Sequence, residues 1–226
     1  MNDQDIVIVS AARTPIGKFQ GAYAGTSATA LGGAAVHAAV ARAGIDPALI
    51  DECILGNVVG AGLGQAPARQ AAIAGGLPAS VGALTINKVC GSGLKAVMLA
   101  GALIRSGEAR AIVAGGMENM TRAPYLLPQA RAGYRLGNGE LVDAVVNDGL
   151  WCAFEHHHMG QSAEWIARTF DVSRAAQDAF AAESHARAIA AQDAGVFADE
   201  IAPVEVAAGR GKTTTVSADE PPRRDT

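Results

Sequence analysis

The chain has 226 residues, half of them hydrophobic and 18% charged, with a formal net charge of −4. That length allows one large domain or two small ones, each with a real core, and the slightly acidic balance excludes a basic nucleic-acid surface. Its three cysteines, Cys53, Cys90 and Cys152, are too few and too far apart for a disulfide framework; they point to a reducing compartment, so a cytoplasmic protein is expected.

Met1 to Asp5 carries no positive charge and leads into only four apolar residues, which argues against a secretory signal. Those four, Ile6 to Val9, read as a strand buried on both faces. Ser10 to Phe19 is a loop punctuated by Pro15 and Gly17. Ala30 to Ala43 reads as a small-residue helix ended by Gly44. Asp46 followed by Pro47 has the form of a helix start, and Cys53 to Val59 of a second strand on which Cys53 is core packing. Gly60, Gly62 and Gly64 then precede a helix from about Ala66 to Ala74. This turn fails as a dinucleotide fingerprint. Gln65 stands where the third glycine belongs, and no acidic residue between Glu52 and Glu108 is available to hold a ribose.

Ala83 to Ile86 is a short apolar strand, and Leu94, Val97, Met98 and Gly101 beyond it fall at helical spacing. Between them lies Asn87-Lys-Val-Cys-Gly-Ser-Gly-Leu-Lys95. Gly91 and Gly93 permit a sharp turn and leave Cys90 uncrowded at a helix N-terminus. There the helix dipole favours a thiolate and unpaired N–H groups can receive an oxyanion. Two readings follow, a small residue filling a tight turn or a nucleophile mounted for acyl transfer. The helix ends at Ser106 and Gly107, and Ala111 to Ala114 forms a fourth buried strand. No stretch reaches the roughly 20 apolar residues of a membrane span. Strand and helix alternate throughout, which predicts an α/β fold with a mainly parallel sheet flanked by helices and chemistry at the strands' carboxyl ends, where Cys90 sits.

After Met120 the texture changes. Thr121 to Leu150 is rich in loop residues. Glu155, His156, His157, His158, Met159 and Gly160 lead into a helix, Ser162 to Phe170, with Trp165, Ile166 and Phe170 expected inward. Three readings stand for the histidines: a metal site, which lacks a second ligand pair at zinc-like spacing, a solvated loop, or a ligand-contacting loop. Cys152 beside them reads as packing. Ser173 caps a longer helix to about Ala194, closed by Gly195. Glu200 to Val206 and Thr213 to Val216, joined through Gly209 and Gly211, suggest a hairpin. Asp219 to Thr226 has loop composition.

Several of these stretches form a recognisable pattern: Ser10-Ala-Ala-Arg-Thr-Pro-Ile-Gly-Lys-Phe19, Gly62-Leu-Gly-Gln-Ala-Pro-Ala-Arg-Gln70, the Cys90 segment, Gly115-Gly-Met-Glu-Asn-Met120, Tyr134-Arg-Leu-Gly137 and His158-Met-Gly160. Together they resemble thiolases, in register along essentially the whole chain, with acetyl-CoA acetyltransferases nearest in look. The resemblance implies a thiolase-like N-terminal core over 1–121 and part of an α+β loop domain covering coenzyme A over 122–226. It further implies condensation of two acetyl-CoA to acetoacetyl-CoA, and the reverse thiolysis, through an acyl thioester on Cys90. His158 and Met159 match a pair near the pantetheine arm, and Arg223 an arginine at the nucleotide end. Coenzyme A thioesters are then substrates, with no metal or further cofactor, no nucleic acid and no membrane. Full-length relatives form homo-oligomers, and the motifs lean towards short acyl chains. Thiolases are nearly twice this long. Their second half, with an activating histidine, a second catalytic cysteine and an asparagine-held water, has no counterpart in this sequence. The chain is therefore expected to be an N-terminal part. As an alternative, it is a catalytically incomplete fragment that binds coenzyme A or a thiolase subunit.

Overall fold

The computed structural model describes residues 5–209 and 211–226. Residues 1–4, and Arg210 at the tip of the expected hairpin, lie outside the described residues. Three strands form a parallel sheet in the order β2 (Gly82–Ile86), β1 (Glu52–Gly56), β3 (Ile112–Gly116). The helices α1 (Ala28–Ala43), α2 (Pro67–Ala74) and α3 (Ser92–Ser106) connect and cover them. This is the α/β layering that the alternation predicts.

The central strand shows how the layers divide. Successive side chains on a strand point to opposite faces. Cys53 and Leu55 enter a core with Val36 and Val40 of α1 and Ala68, Ala71 and Ala72 of α2. Ile54 and Gly56 therefore face the other way, and Gly56 meets Ser92 at the start of α3. Burying one aliphatic side chain here is worth about 1.5–3 kcal/mol. The small residues of α1 have a steric purpose. A Cβ on Gly33 would stand 2.8 Å from Cβ of Ala74, so the helices approach at a distance that only glycine permits.

Capping at Gly44, Asp46 and Ser173 agrees with the sequence reading, and Ser27 adds a cap that reading did not name. Ser27 caps α1, which starts two residues before the expected boundary, and left-handed Gly44 closes it. Asp46 caps a single 3₁₀ turn, Pro47–Leu49. Ser173 caps α5 (Arg174–Asp193). The hairpin forms from β6 (Val204–Gly209) and β7 (Lys212–Val216), antiparallel. Its buried Val204 and Val206 pack with Tyr23 and Leu31. The stretch after Met120 contains a short antiparallel pair, β4 (Tyr125–Leu126) with β5 (Val142–Asp143), and a π-helical turn at Val145–Leu150.

Four expectations are corrected, and the packed face of α3 is established. Ile6–Val9 is not a buried strand: it has no strand neighbour among the described residues, and Ile8 is 79% exposed. β1 stops at Gly56 because the N–H groups of Val58 and Val59 turn to the Glu118 carboxylate. The helix α4 (Met159–Thr169) starts three residues early, on a His158 cap, and Trp165, Ile166 and Phe170 face outward. On α3 the packed stripe is Ser92, Ala96 and Ala100, spaced at i, i+4 and i+8, whereas Leu94, Val97 and Met98 are exposed. The window Val89–Ser106, with mean hydropathy 1.3, is apolar and long enough to cross a membrane by length and composition, contrary to the sequence reading.

An ion-paired strap ties the end of the described chain to its beginning. The Arg13 guanidinium donates to both Asp219 carboxylate oxygens, at 2.7 and 2.9 Å, and to Glu200 at 2.6 Å. Asp219 also accepts from the Ile16 N–H, and Glu220 from those of Lys18 and Ala22. Arg13 hydrogen bonding holds the Asp219 carboxyl below the ordinary carboxylate range, against the opposing effect of burial. Because the folded pKa is depressed, the strap's contribution is complete above the ordinary value of about 3.9 and is lost as pH falls through the lower folded value. Asp219→Asn should cost about 1–3 kcal/mol in a urea melt at neutral pH. That cost should shrink as both proteins are taken into acid; a cost independent of pH would show that the carboxylate charge is not what holds the strap.

Candidate active site

Cys90 lies between β2 and α3, at the carboxyl end of the sheet, and its side chain is exposed. The first turn of any helix leaves its early N–H groups without intrahelical acceptors. Here Gly91, the residue before the helix, supplies no side-chain cap, and no acidic side chain stands in the first turn. The partial positive charge of the helix end is thus uncompensated locally and directed at the region around Cys90. Among the described residues no side chain hydrogen-bonds the Cys90 thiol.

Steric fit places this helix end. A Cβ on Gly56 would lie 2.4 Å from Cβ of Ser92 and 2.9 Å from the Gly93 nitrogen. One on Gly116 would meet the Gly93 Cα at 3.4 Å. Backbone therefore rests on backbone where α3 meets the ends of β1 and β3. Glu118, just past β3, ties the same two ends together. Its carboxylate accepts from Asn57 Nδ2 at 3.0 Å and from the N–H groups of Val58 at 2.8 Å and Val59 at 3.2 Å. Asn57 is buried and also donates to the Met117 carbonyl.

The turn before Cys90 is strained. Val89 has φ of 49°, in the left-handed region that a β-branched residue rarely adopts, at a cost of about 1–3 kcal/mol. Its N–H donates to Asn87 Oδ1 at 2.9 Å. Its carbonyl accepts from the Ser92 hydroxyl at 2.6 Å, and the same oxygen of Ser92 accepts from the Lys88 N–H at 2.8 Å. Sequence reasoning quoted Asn87, Ser92 and Glu118 within motifs but gave neither them nor Asn57 a role. The signal for Asn87 was available, since an Asn side chain that accepts from the N–H two residues on is a standard turn device.

The remaining expected site residues stand apart from Cys90 in their bonding: no hydrogen bond or ion pair among the described residues joins His158, Met159 or Arg223 to it. His158 begins α4, and its Nδ1 accepts from the Gly160 N–H at 3.0 Å. A neutral His158 ring therefore carries its proton on Nε2, which is left to donate. Met159 is partly exposed on the first turn of α4. Arg223 has an exposed side chain, and its N–H donates to His185 Nδ1, while the neighbouring Arg224 pairs with Asp193. In the histidine cluster, His157 Nε2 bonds Ser162 Oγ at 2.7 Å, and the Cys152 N–H donates to the His157 carbonyl. Cys53 is fully buried, and burial, with the nearby Glu52 charge, pushes its thiol up to about 12.

The sequence matches the family described as "Thiolase, N-terminal domain" over residues 6–226. It is 54% identical over 222 residues to a probable acetyl-CoA acetyltransferase of Escherichia coli, covering 98% of this chain and 56% of that protein. It is 52% identical over 223 residues to an acetyl-CoA acetyltransferase of Pseudomonas aeruginosa, covering 99% and 57%. A third, from Cupriavidus necator, is 52% identical over 216 residues, covering 96% and 55%. The chain thus spans little more than half the length of these relatives.

Two tests address the geometry directly. Iodoacetamide at about pH 8 should modify Cys90 first and Cys53 last in the folded chain, read by peptide mapping; early labelling of Cys53 would contradict the packed sheet. Gly56→Ala should lower stability by about 1–3 kcal/mol, because α3 has to lift off the strand to admit the methyl group; an unchanged melt would show that the close approach is not required.

Proposed function

The chain belongs to the thiolase family and spans its N-terminal domain, and on that premise we propose that it carries the nucleophile of an acyltransferase acting on acetyl-CoA. Cys90 Sγ attacks the thioester carbonyl, a sulfur–carbon bond forms to the enzyme, and the tetrahedral oxyanion collapses with release of the coenzyme A thiolate. That thiolate takes up the proton lost by Cys90. A second acetyl-CoA, losing a proton from its methyl group, then attacks the acyl carbonyl and displaces the Cys90 thiolate to give acetoacetyl-CoA; that proton ends on the Cys90 sulfur, and thiolysis is the reverse. The Cys90 N–H serves as one donor to the oxyanion. His158 and Met159 contact the pantetheine arm, and Arg223 lies towards the nucleotide. Residues 1–121 form the core and 122–226 belong to the region that covers coenzyme A. The substrates are the only coenzymes in this reading.

The observation that carries it is the exposed Cys90 at an uncapped helix N-terminus on the carboxyl end of a parallel sheet. A second reading, that the chain by itself acts at most as a coenzyme A-binding or subunit-interaction module, is favoured by one feature. No base hydrogen-bonds Cys90 among the described residues, and general acid–base help is worth about 10²–10⁴-fold.

Intact mass after incubation with acetyl-CoA separates the two. The acyltransferase reading expects one added acetyl group on the unaltered chain and none on Cys90→Ala. Oligomerisation without any acetylation, in a sample shown by circular dichroism to be folded, would favour the interaction module.

A further inference from the structure

We propose that Ser92, with Asn87, is a positioning residue that fixes the direction of the Cys90 N–H by holding Val89 in its left-handed conformation; this rests on the reading of Cys90 as the nucleophile. The Cys90 N–H belongs to the peptide unit between Val89 and Cys90. That unit is planar and trans, so the Val89 C=O and the Cys90 N–H point in opposite directions and turn together. Whatever holds the carbonyl aims the N–H. Ser92 holds it twice, through its hydroxyl at 2.6 Å and its own N–H at 3.0 Å. On the other side of the same residue, Asn87 Oδ1 holds the Val89 N–H. Both polar backbone groups of Val89 are therefore clamped.

The clamp has something to resist. A valine with φ of 49° is driven towards the extended region by its branched side chain. Val89 is 51% exposed, so core packing does not hold it in place. Ser92 is 4% exposed, so water cannot readily replace its hydroxyl. That hydroxyl is also used fully, donating to the Val89 carbonyl and accepting from the Lys88 N–H. Without it only the Ser92 N–H holds the carbonyl, the strained Val89–Cys90 peptide rocks more widely, and the Cys90 N–H spends less time where an oxyanion would form.

The test uses the whole 226-residue chain and two reactions of one thiol. Acetyl transfer from acetyl-CoA passes through an oxyanion; alkylation by iodoacetamide displaces iodide and does not. Ser92→Ala should slow acetyl transfer by about tenfold or more while changing alkylation by less than about threefold. Adding Val89→Gly, which makes the left-handed conformation comfortable, should recover most of the acetyl transfer. Equal falls in both reactions, or the same loss with and without Val89→Gly, would overturn the clamp. Should Ser92→Ala unfold the chain, refolding by Val89→Gly supports the proposal and continued unfolding overturns it. Should the unaltered chain take up no acetyl group, the function reading fails by itself, and thermal melts decide the clamp. A smaller loss of melting temperature from Ser92→Ala in the Val89→Gly background supports it, and an equal loss overturns it.

Discussion

Where α3 begins, backbone presses on backbone. Gly56 at the end of β1 and Gly93 in the first turn of α3 come so close that a methyl group on Gly56 would overlap Ser92. Most of the local geometry around Cys90 depends on that approach. It sets where the helix points and brings its unpaired N–H groups to the carboxyl end of the sheet. It also forces the connection from Ile86 to Ser92 into five residues, a span that Val89 completes only in a strained conformation. Glu118 secures the approach from the other side, since its carboxylate joins the ends of β1 and β3 through three N–H donors. A hydrogen bond to a charged acceptor is worth about 1.5–3 kcal/mol, so this junction is held more firmly than an ordinary turn.

The two faces of the sheet are finished to different degrees. On one, α1 and α2 close a core around Cys53 and Leu55. On the other, α3 packs through a narrow stripe of small residues and leaves Leu94, 70% exposed, on its outer side. Trp165 of α4 and Phe170 just beyond its end are similarly uncovered. The N-terminal loop is in contrast well anchored: Pro15 is fully buried, and Asp219 and Glu220 hold its backbone from the far end of the described chain. Stability is thus distributed unevenly, with the sheet, its α1–α2 layer and the strap as the firm part.

Local chemistry was readable in advance. Asp46 and Ser173 cap the elements they were expected to cap, because a side-chain oxygen meeting an unpaired N–H is decided within three residues. The glycine-flanked Cys90, with apolar periodicity on either side, announced a strand–turn–helix seam, and the motifs around it carried the thiolase family. Expectations failed where an answer depended on a distant partner. Ile6–Val9 has the composition of a buried strand, but composition does not supply a neighbour. Leu94, Val97 and Met98 do lie on a helix, as their spacing indicated, but the spacing did not say which face packs: that is decided by which residues let the sheet come near, and there small side chains outweighed large ones.

From its sequence alone the chain determined its α/β alternation, its caps, its hairpin and the place of its nucleophile candidate. Each of these is set by neighbours a few positions away, through backbone hydrogen bonding and side-chain period. Only the tertiary structure decided that Arg13 pairs with Asp219, that Glu118 binds the end of β1, and that Ser92 and Asn87 grip Val89 from either side. The first two join positions 206 and 60 residues apart, and the third depends on the exact turn of one peptide plane. Such contacts arise from how close two backbones can come, a quantity set by every side chain packed between them and written at no single position.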